Sequence, residues 1–381
     1  MIKRTYFYLL TLALLFTGTG CWDLLDINDR AYITTIGLDK PANPLTATGE
    51  IPNRYKVTAE ILLPNLFKES ASRLERNKET ASVIYTAEGE TIQKAIDDIQ
   101  ARVPFKISLA HFNILIIGED LARESLKNPL DYFKRNPDVA RRLRVFFAHN
   151  SEAKDIFKLK PQFSQLISME LITPKPLDLS MNRYEPFSDI LKEMYINNGI
   201  SLGARLFLSD GGESVTRHGA CVFKDWKLFG WLSKDETRHA NWFVGKGESI
   251  VVGQSKDEVF SYYIEKRKLK IQPKVENNEL SFMVNLKTQG VILQKEGNHM
   301  LSEIKDIRKL EELFNKVIEK EVKHAIHKAQ KDLQTDYLGF GMKLYNKYPQ
   351  MYKSLDWEET FPNVPINVQV EATISSFGQA R

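Results

Sequence analysis

Cys21 is the residue whose placement most directly implies covalent chemistry. It follows the small run Thr17-Gly18-Thr19-Gly20, which itself follows the apolar stretch Tyr6 to Phe16 and the basic pair Lys3 and Arg4. A basic head, an apolar segment of roughly 7–15 residues and a small-residue exit describe a secretory signal peptide. The apolar part is shorter than the roughly 20 residues that a membrane span needs. A cysteine straight after the exit resembles a bacterial lipobox, in which the thiol receives diacylglycerol and becomes residue one of the mature chain. Gly18 stands where such boxes usually carry Leu or another apolar residue. One acyl chain holds a protein weakly at a membrane, and the two of diacylglycerol hold it stably. The alternatives are a plain signal peptide with an incidental cysteine, and an uncleaved anchor.

The other chemically able residues do not converge. His324 and His327 lie three apart on a long helical stretch, as metal ligands can, but Lys323 and Lys328 flank them and no third ligand is near in sequence. They read as a solvated face. His218 and His239 are isolated near turns, and His111 opens a strand as a core or edge histidine. Cys221 sits in the apolar run Gly-Ala-Cys-Val-Phe and reads as a buried structural thiol rather than a nucleophile. The sequence holds no Gly-x-Ser-x-Gly, no phosphate loop and no Gly-x-Gly-x-x-Gly after a strand. Bulky residues around Gly339-Phe340-Gly341 rule out a phosphate cradle. Carboxylates are scattered through charged helices, where ion pairing accounts for them. No catalytic residue, metal ligand or cofactor site is therefore assigned. The aromatic series Tyr337, Phe340, Tyr345, Tyr348, Tyr352, Trp357 and Phe361 fits either interface anchors or the cap of a domain core.

Composition narrows the class. The chain has 381 residues, 43% hydrophobic and 27% charged, which is ordinary globular usage. Without residues 1–20 the length still suits two or three domains. Lys3 and Arg4 are the only charges in that leader, so 51 of the 53 basic residues face all 49 acidic ones in the remainder. That balance argues against a nucleic-acid binder. Cys221 is the only cysteine after Cys21, so no intrachain disulfide framework exists. No second apolar run of membrane-spanning length follows, so the remainder is expected as soluble domains held at a membrane surface.

The elements that would position any site follow from periodicity. Residues 31–38 and 55–62 read as a strand hairpin, 82–87 as a third strand and 68–80 as a charged excursion. Thr91 caps a helix whose face is Ile92, Ala95, Ile96, Ile99 and Val103. Residues 107–117 read as one buried strand. Helices follow over 119–125 and 129–135, a strand over 144–148 and a capped helix from Ser151. A proline-rich connection spans 161–186, with a helix over 187–197. Residues 200–209 open a second unit, with a turn at Gly211-Gly212, a hairpin at 219–223 and 227–232, a helix over 236–243 and a strand over 249–252. A long hairpin joins 259–272 to 279–293. Ser302 opens a helix of about 30 residues, with a long apolar stripe. The bland reading lays it across the hairpin sheet; the alternative is a coiled-coil partner. An alternating strand over 366–375 completes the pattern. The expectation is an α+β fold with a leader at 1–20, an N-terminal α/β domain at 21–195, a small middle α+β domain at 196–255 and a C-terminal α+β domain at 256–381 carrying helix 302–334.

Several stretches together resemble one family. They are Gly20-Cys21-Trp22-Asp23, Ile27-Asn-Asp-Arg30, Ile36-Gly37-Leu38-Asp39, His111 to Glu119, Gly219 to Lys224 with Leu228 to Gly230, and Asp336-Tyr-Leu-Gly-Phe-Gly341 ahead of Trp357 and the strand 368–374. Each piece is weak; the ordered set, over nearly all of the mature chain, is similar to the Ger(x)C lipoproteins, the C subunits of spore nutrient germinant receptors. The resemblance implies three mixed α/β domains in an elongated arrangement. It implies lipid on Cys21 and a place on the outer face of the spore inner membrane. It also implies assembly with a membrane-embedded A subunit and a transporter-like B subunit, and no enzymatic activity. It carries over no ligand pocket, and leaves open whether this subunit binds nutrient itself. Two other functions compete. A lipid-anchored solute-binding protein should show two similar βα lobes around a cleft, against which the unequal domains and the long helix argue. An envelope hydrolase needs a nucleophile or carboxylate pair, and none is nominated.

Overall fold

The computed structural model describes residues 30–42, 52–63, 82–159, 166–172, 186–209, 214–244, 249–255, 258–277, 279–297 and 304–376. Cys21 and its leader, the stretch 23–29, the excursion 68–80, most of the connection 161–186, Gly211-Gly212 and the helix start at Ser302 lie outside the described residues.

A ten-stranded mixed sheet forms the first layer system, with eight strands in the order β10-β9-β7-β6-β5-β1-β2-β3, β4 on β1 and β8 on β7. Its centre is β1 (Arg30–Asp39), β5 (Ile114–Ile117), β6 (Arg144–Ala148) and β7 (Ser201–Leu208), all parallel. These strands are mostly buried because helices cover both faces, as a parallel sheet requires. β2 (Tyr55–Leu62) and β3 (Ser82–Gly89) add an antiparallel flank beside β1. On one face lie α1 (Ile92–Gln100), α2 (Glu119–Glu124), α3 (Lys127–Arg135) and α6 (Phe187–Ile196). Thr91 caps α1 by accepting from the Lys94 N–H at 3.1 Å, and Ile92, Ala95, Ile96, Ile99 and Val103 are all buried. On the other face lie α4 (Ala153–Ile156) and α5 (Ile167–Ile172), packed on Ile114, Ile116, Phe146 and Leu206.

The single strand expected over 107–117 is two pieces, β4 (Lys106–Ser108) and β5, each parallel to β1. Between them the Phe112 N–H donates to Leu109 O at 3.0 Å, and the turn drives the Phe112 ring into the core. The sequence hides that break because Leu109 and Phe112 are buried and prolong the apolar run, while Ala110 and His111 between them face solvent.

The block 196–255, expected as a small domain of its own, divides between the two sheets. β7 pairs with β6, and β9 (Ala220–Lys224) pairs with β7. β9 turns into β10 (Lys227–Leu232) through Asp225 and Trp226, both at positive φ, as a tight hairpin turn demands. β8 (Val215–Thr216) adds a short rung. α7 (Lys234–Val244) follows, and β11 (Ser249–Ser255) opens the second sheet.

That sheet has the order β11-β12-β13-β14. β12 (Glu258–Glu276) and β13 (Glu279–Glu296) form the long hairpin, and β14 (Ile366–Ser376) lies parallel to β13. The long helix α8 (Ile304–His327) crosses its inner face, burying Leu310, Phe314, Ile318, Val322 and Ala325 against Tyr262, Phe282 and Val284. Two of its polar side chains complete the β14 edge: Asn315 Oδ1 accepts from the Ala372 N–H at 2.6 Å, and Glu311 Oε1 from the Ile374 N–H at 3.0 Å. The sheet-covering reading of this helix thus holds. One core joins the sheets, because Leu202, Ala220, Val222 and Leu232 of the first pack in the same cluster as α7 and α8.

Candidate functional site

In open α/β sheets, ligands bind beyond the carboxyl ends of the parallel strands. Here that edge is lined by carboxylates. Asp39 ends β1, Glu119 follows β5, and Asn150, Ser151 and Glu152 follow β6; with Lys40 and Asp120 they line an open cavity of about 370 Å³. Asp39 Oδ1 accepts from the Ala153 N–H at 2.6 Å and Oδ2 from the Lys154 N–H at 2.9 Å, so it caps α4 across the sheet. Burial pushes its carboxyl up to about 6 against those two donors. Gly118 leaves the room for this, since a Cβ there would run into Asp39 Oδ1. Glu119 Oε2 accepts from the Asn150 N–H at 2.7 Å, and Oε1 from Arg123 and from Trp231 Nε1. Burial raises its pKa, but these donors outweigh it and hold the carboxyl below its ordinary value. Glu152 pairs with Lys56 at 3.0 Å and Lys154 at 2.7 Å, and is likewise held low against the effect of burial. The oxygens of these three carboxylates are thus engaged in holding strand ends to helix starts, an arrangement suited to fastening rather than to proton transfer.

A second polar cavity, of about 190 Å³, lies where α7 meets α8. His239, His324 and His327 line it with Glu236, Lys328 and Asp332. The rings of His239 and His324 lie 5.7 Å apart. Burial, Arg238 and His324 push the His239 imidazole down to about 4. His239, read from sequence as isolated, is therefore brought against His324, because two helices distant in sequence cross there. Among the described residues no group of three or more His, Cys, Asp or Glu has the geometry to hold a metal ion. His111 stacks edge-on to Tyr32 and His218 edge-on to Phe207. Cys221 is fully buried, which pushes its thiol well above the usual range.

The aromatic series caps a core. Tyr337, Phe340 and Phe361 are buried, with Tyr348, Tyr352 and Trp357 packed on them. Its keystone is Asp336. Oδ1 accepts from the Gly339 and Phe340 N–H groups at 2.9 and 3.0 Å, and Oδ2 from the Gly341 N–H at 2.6 Å and Trp357 Nε1 at 3.0 Å. Gly339 takes φ +86°, and a Cβ on Gly341 would sit 2.5 Å from Trp357 Nε1, so both glycines are needed for the carboxylate to be wrapped. The π-turn after α8 (Lys328–Asp332) locks the cap on, because Gln330 Nε2 donates to Phe361 O at 2.7 Å and Val364 O at 2.9 Å.

Two family profiles cover this architecture in order. "Spore germination protein N-terminal domain" matches residues 23–203, and "Spore germination B3/ GerAC like, C-terminal" matches residues 218–378. The chain belongs to the Ger(x)C family of spore germination proteins. It is 25% identical to spore germination protein KC of Bacillus subtilis (strain 168), over 99% of this chain and 97% of that protein. It is 27% identical to spore germination protein B3 of the same organism, over 94% of each. A crystal structure of the GerBC protein shares the fold, with a TM-score of 0.58 and 21% identity over 89% of this chain and 97% of that one. The mixed α/β class expected from the sequence is the class observed. The described residues that carry the Ger(x)C resemblance are mostly fasteners: Asp39, Glu119, the β9–β10 hairpin and the Asp336–Trp357 clamp. Asp39 and Glu119 stand in the stretches that carry the family resemblance, and their place at the ends of apolar strands is the sequence signal for their fastening role.

Proposed function

We propose that this Ger(x)C protein is a non-enzymatic, lipid-anchored C subunit of a spore germinant receptor, acting by scaffolding or signal relay beside membrane-embedded A and B subunits. One observation carries the reading: both family profiles match in order over nearly the whole chain, alongside relatives named as spore germination proteins. Cys21, straight after a small-residue exit, supplies the lipid site and so a place on the outer face of the spore inner membrane. Among the described residues no helix is long and apolar enough to cross a membrane, which is compatible with attachment by lipid. Anchoring confines the folded units to the surface where their partners lie, so weak contacts act at high effective concentration. The engagement of Asp39, Glu119 and Glu152 in the strand-end cavity supports a role in assembly rather than turnover.

The test is affinity capture from detergent-solubilised spore membranes, comparing the native chain with Cys21→Ala. Two polytopic membrane proteins should come down with the native chain and be depleted with the variant, which should keep its fold and lose the germination response. Recovery of an ATP-driven permease instead would favour a solute-binding protein. A native chain already soluble without detergent would defeat the anchoring argument.

A further inference from the structure

The outer face of the second sheet, opposite α8, combines two features. In β12 the register slips by one between Ile264 and Lys266, leaving Glu265 in a bulge. Inner-facing positions before the slip are Phe260, Tyr262 and Ile264; after it they are Arg267, Leu269, Ile271 and Pro273. The reset alternation sends Lys266, Lys268, Lys270 and Lys274 to solvent along one side. At about 6.7 Å per two residues this row spans roughly 27 Å. None of the four forms an ion pair with a described residue. Across the ladder Lys287 continues the row opposite Lys268, paired to Glu371 of β14. The remaining acidic groups on this side are Glu265 in the bulge, Glu276 and Glu279 at the hairpin tip, and Glu296 opposite Val259, which accepts from Gln294 Nε2 at 2.9 Å.

The other end of the same face is apolar. Val252 of β11 and Leu293 of β13 are each 55% exposed, and half-buried Ile250, Tyr263 and Val291 lie in register between them. We infer that this face is a peripheral membrane-binding surface: the aliphatic end inserts at the headgroup boundary of an anionic bilayer and the lysine row meets lipid phosphates. The composition separates a bilayer from a protein partner. Protein interfaces deplete lysine and favour Arg, Trp and Tyr at their cores, whereas lysines on long stems beside exposed aliphatics suit a lipid surface. This contact is additional to acylation of Cys21 and does not require it; it would fix which side of the molecule faces the lipid.

The test uses the full chain carrying Cys21→Ala, sedimented with vesicles of phosphatidylcholine with and without phosphatidylglycerol. Binding should require phosphatidylglycerol and weaken with salt. The quadruple variant K266Q/K268Q/K270Q/K274Q should bind about fivefold more weakly per lysine, several hundredfold in all, with an unchanged thermal midpoint. V252S/L293S should weaken binding at high salt more than at low salt. Binding through the apolar leader alone would not distinguish lipid compositions or variants, and that outcome overturns the inference. So does equal binding of the quadruple variant, even if that variant loses polytopic proteins on capture, which would assign the face to a protein contact instead.

Discussion

Asp336→Ala should be among the most destabilising single changes outside the aliphatic core. The substitution removes the acceptor for three backbone N–H groups and Trp357 Nε1 at once. Each buried donor left without a partner costs about 1–3 kcal/mol. Relief from desolvating the carboxylate, which burial pushes up to about 6, offsets part of this. The balance is a loss of about 4 kcal/mol, or roughly 5 °C in the thermal midpoint of a chain this size. Trp357→Phe removes one donor together with its bond and should cost about 1–1.5 kcal/mol. Trp357 is itself a probe, since its fluorescence should shift as the clamp opens. The decisive measurement is the double-mutant cycle: once Asp336 is gone, Trp357→Phe should cost markedly less than alone. A midpoint shift of under about 2 °C for Asp336→Ala, or strict additivity of the pair, would refute the clamp as the support of the C-terminal cap.

Three further outcomes follow from the geometry. His239 has a folded-state pKa near 4 against an ordinary 6.5, so the unfolded chain binds the extra proton in that window. Its contribution is complete above 6.5 and lost as pH falls towards 4, about 1–2 kcal/mol after allowing for its partial exposure, and His239→Gln should flatten that slope in urea titrations. Asp39 and Asp336, raised from 3.8 to about 6, act oppositely and add stability as pH falls through that range, so the difference between wild type and variant, not the raw profile, isolates the histidine. Gly118→Ala should push Asp39 off α4 and cost about 2–3 kcal/mol, read as a lowered thermal midpoint; an unchanged midpoint would mean the cap is dispensable. The Cys221 thiol should resist aromatic disulfide reagents in the native protein and react at the rate of unfolding; prompt reaction would contradict its burial.

Local pattern was enough wherever one face meets one core. Thr91 and the Ile92–Ile99 stripe gave α1, and the β-branched runs gave β1, β2, β12 and β13. It failed where partners come from afar. Nothing within 196–255 announces that β7 pairs with β6 rather than founding a new sheet, because an antiparallel hairpin looks the same in either place. The strand over 107–117 is broken by a turn whose buried Leu109 and Phe112 keep the apolar run going in the sequence. The strand-end carboxylates and the His239–His324 contact join residues up to 115 positions apart, a distance no periodicity encodes.

The shared core has a consequence for how this family is divided. The border between the two profiles, 203 to 218, falls inside the first sheet, from within β7 to just before the β9 strand paired to it. A cut there would strip the N-terminal half of Cys221, Phe223 and Leu228, which belong to its own core, and bare the edge of β7. The same cut would leave the C-terminal half exposing Cys221, Phe223 and Leu228 on a two-stranded ribbon whose other face, Ala220, Val222 and Leu232, stays on its own core. The units that similarity recognises are thus not the units that can fold apart. Whatever force reaches one sheet is delivered to the other through packed side chains rather than across a joint, and the two halves should move as a single lever.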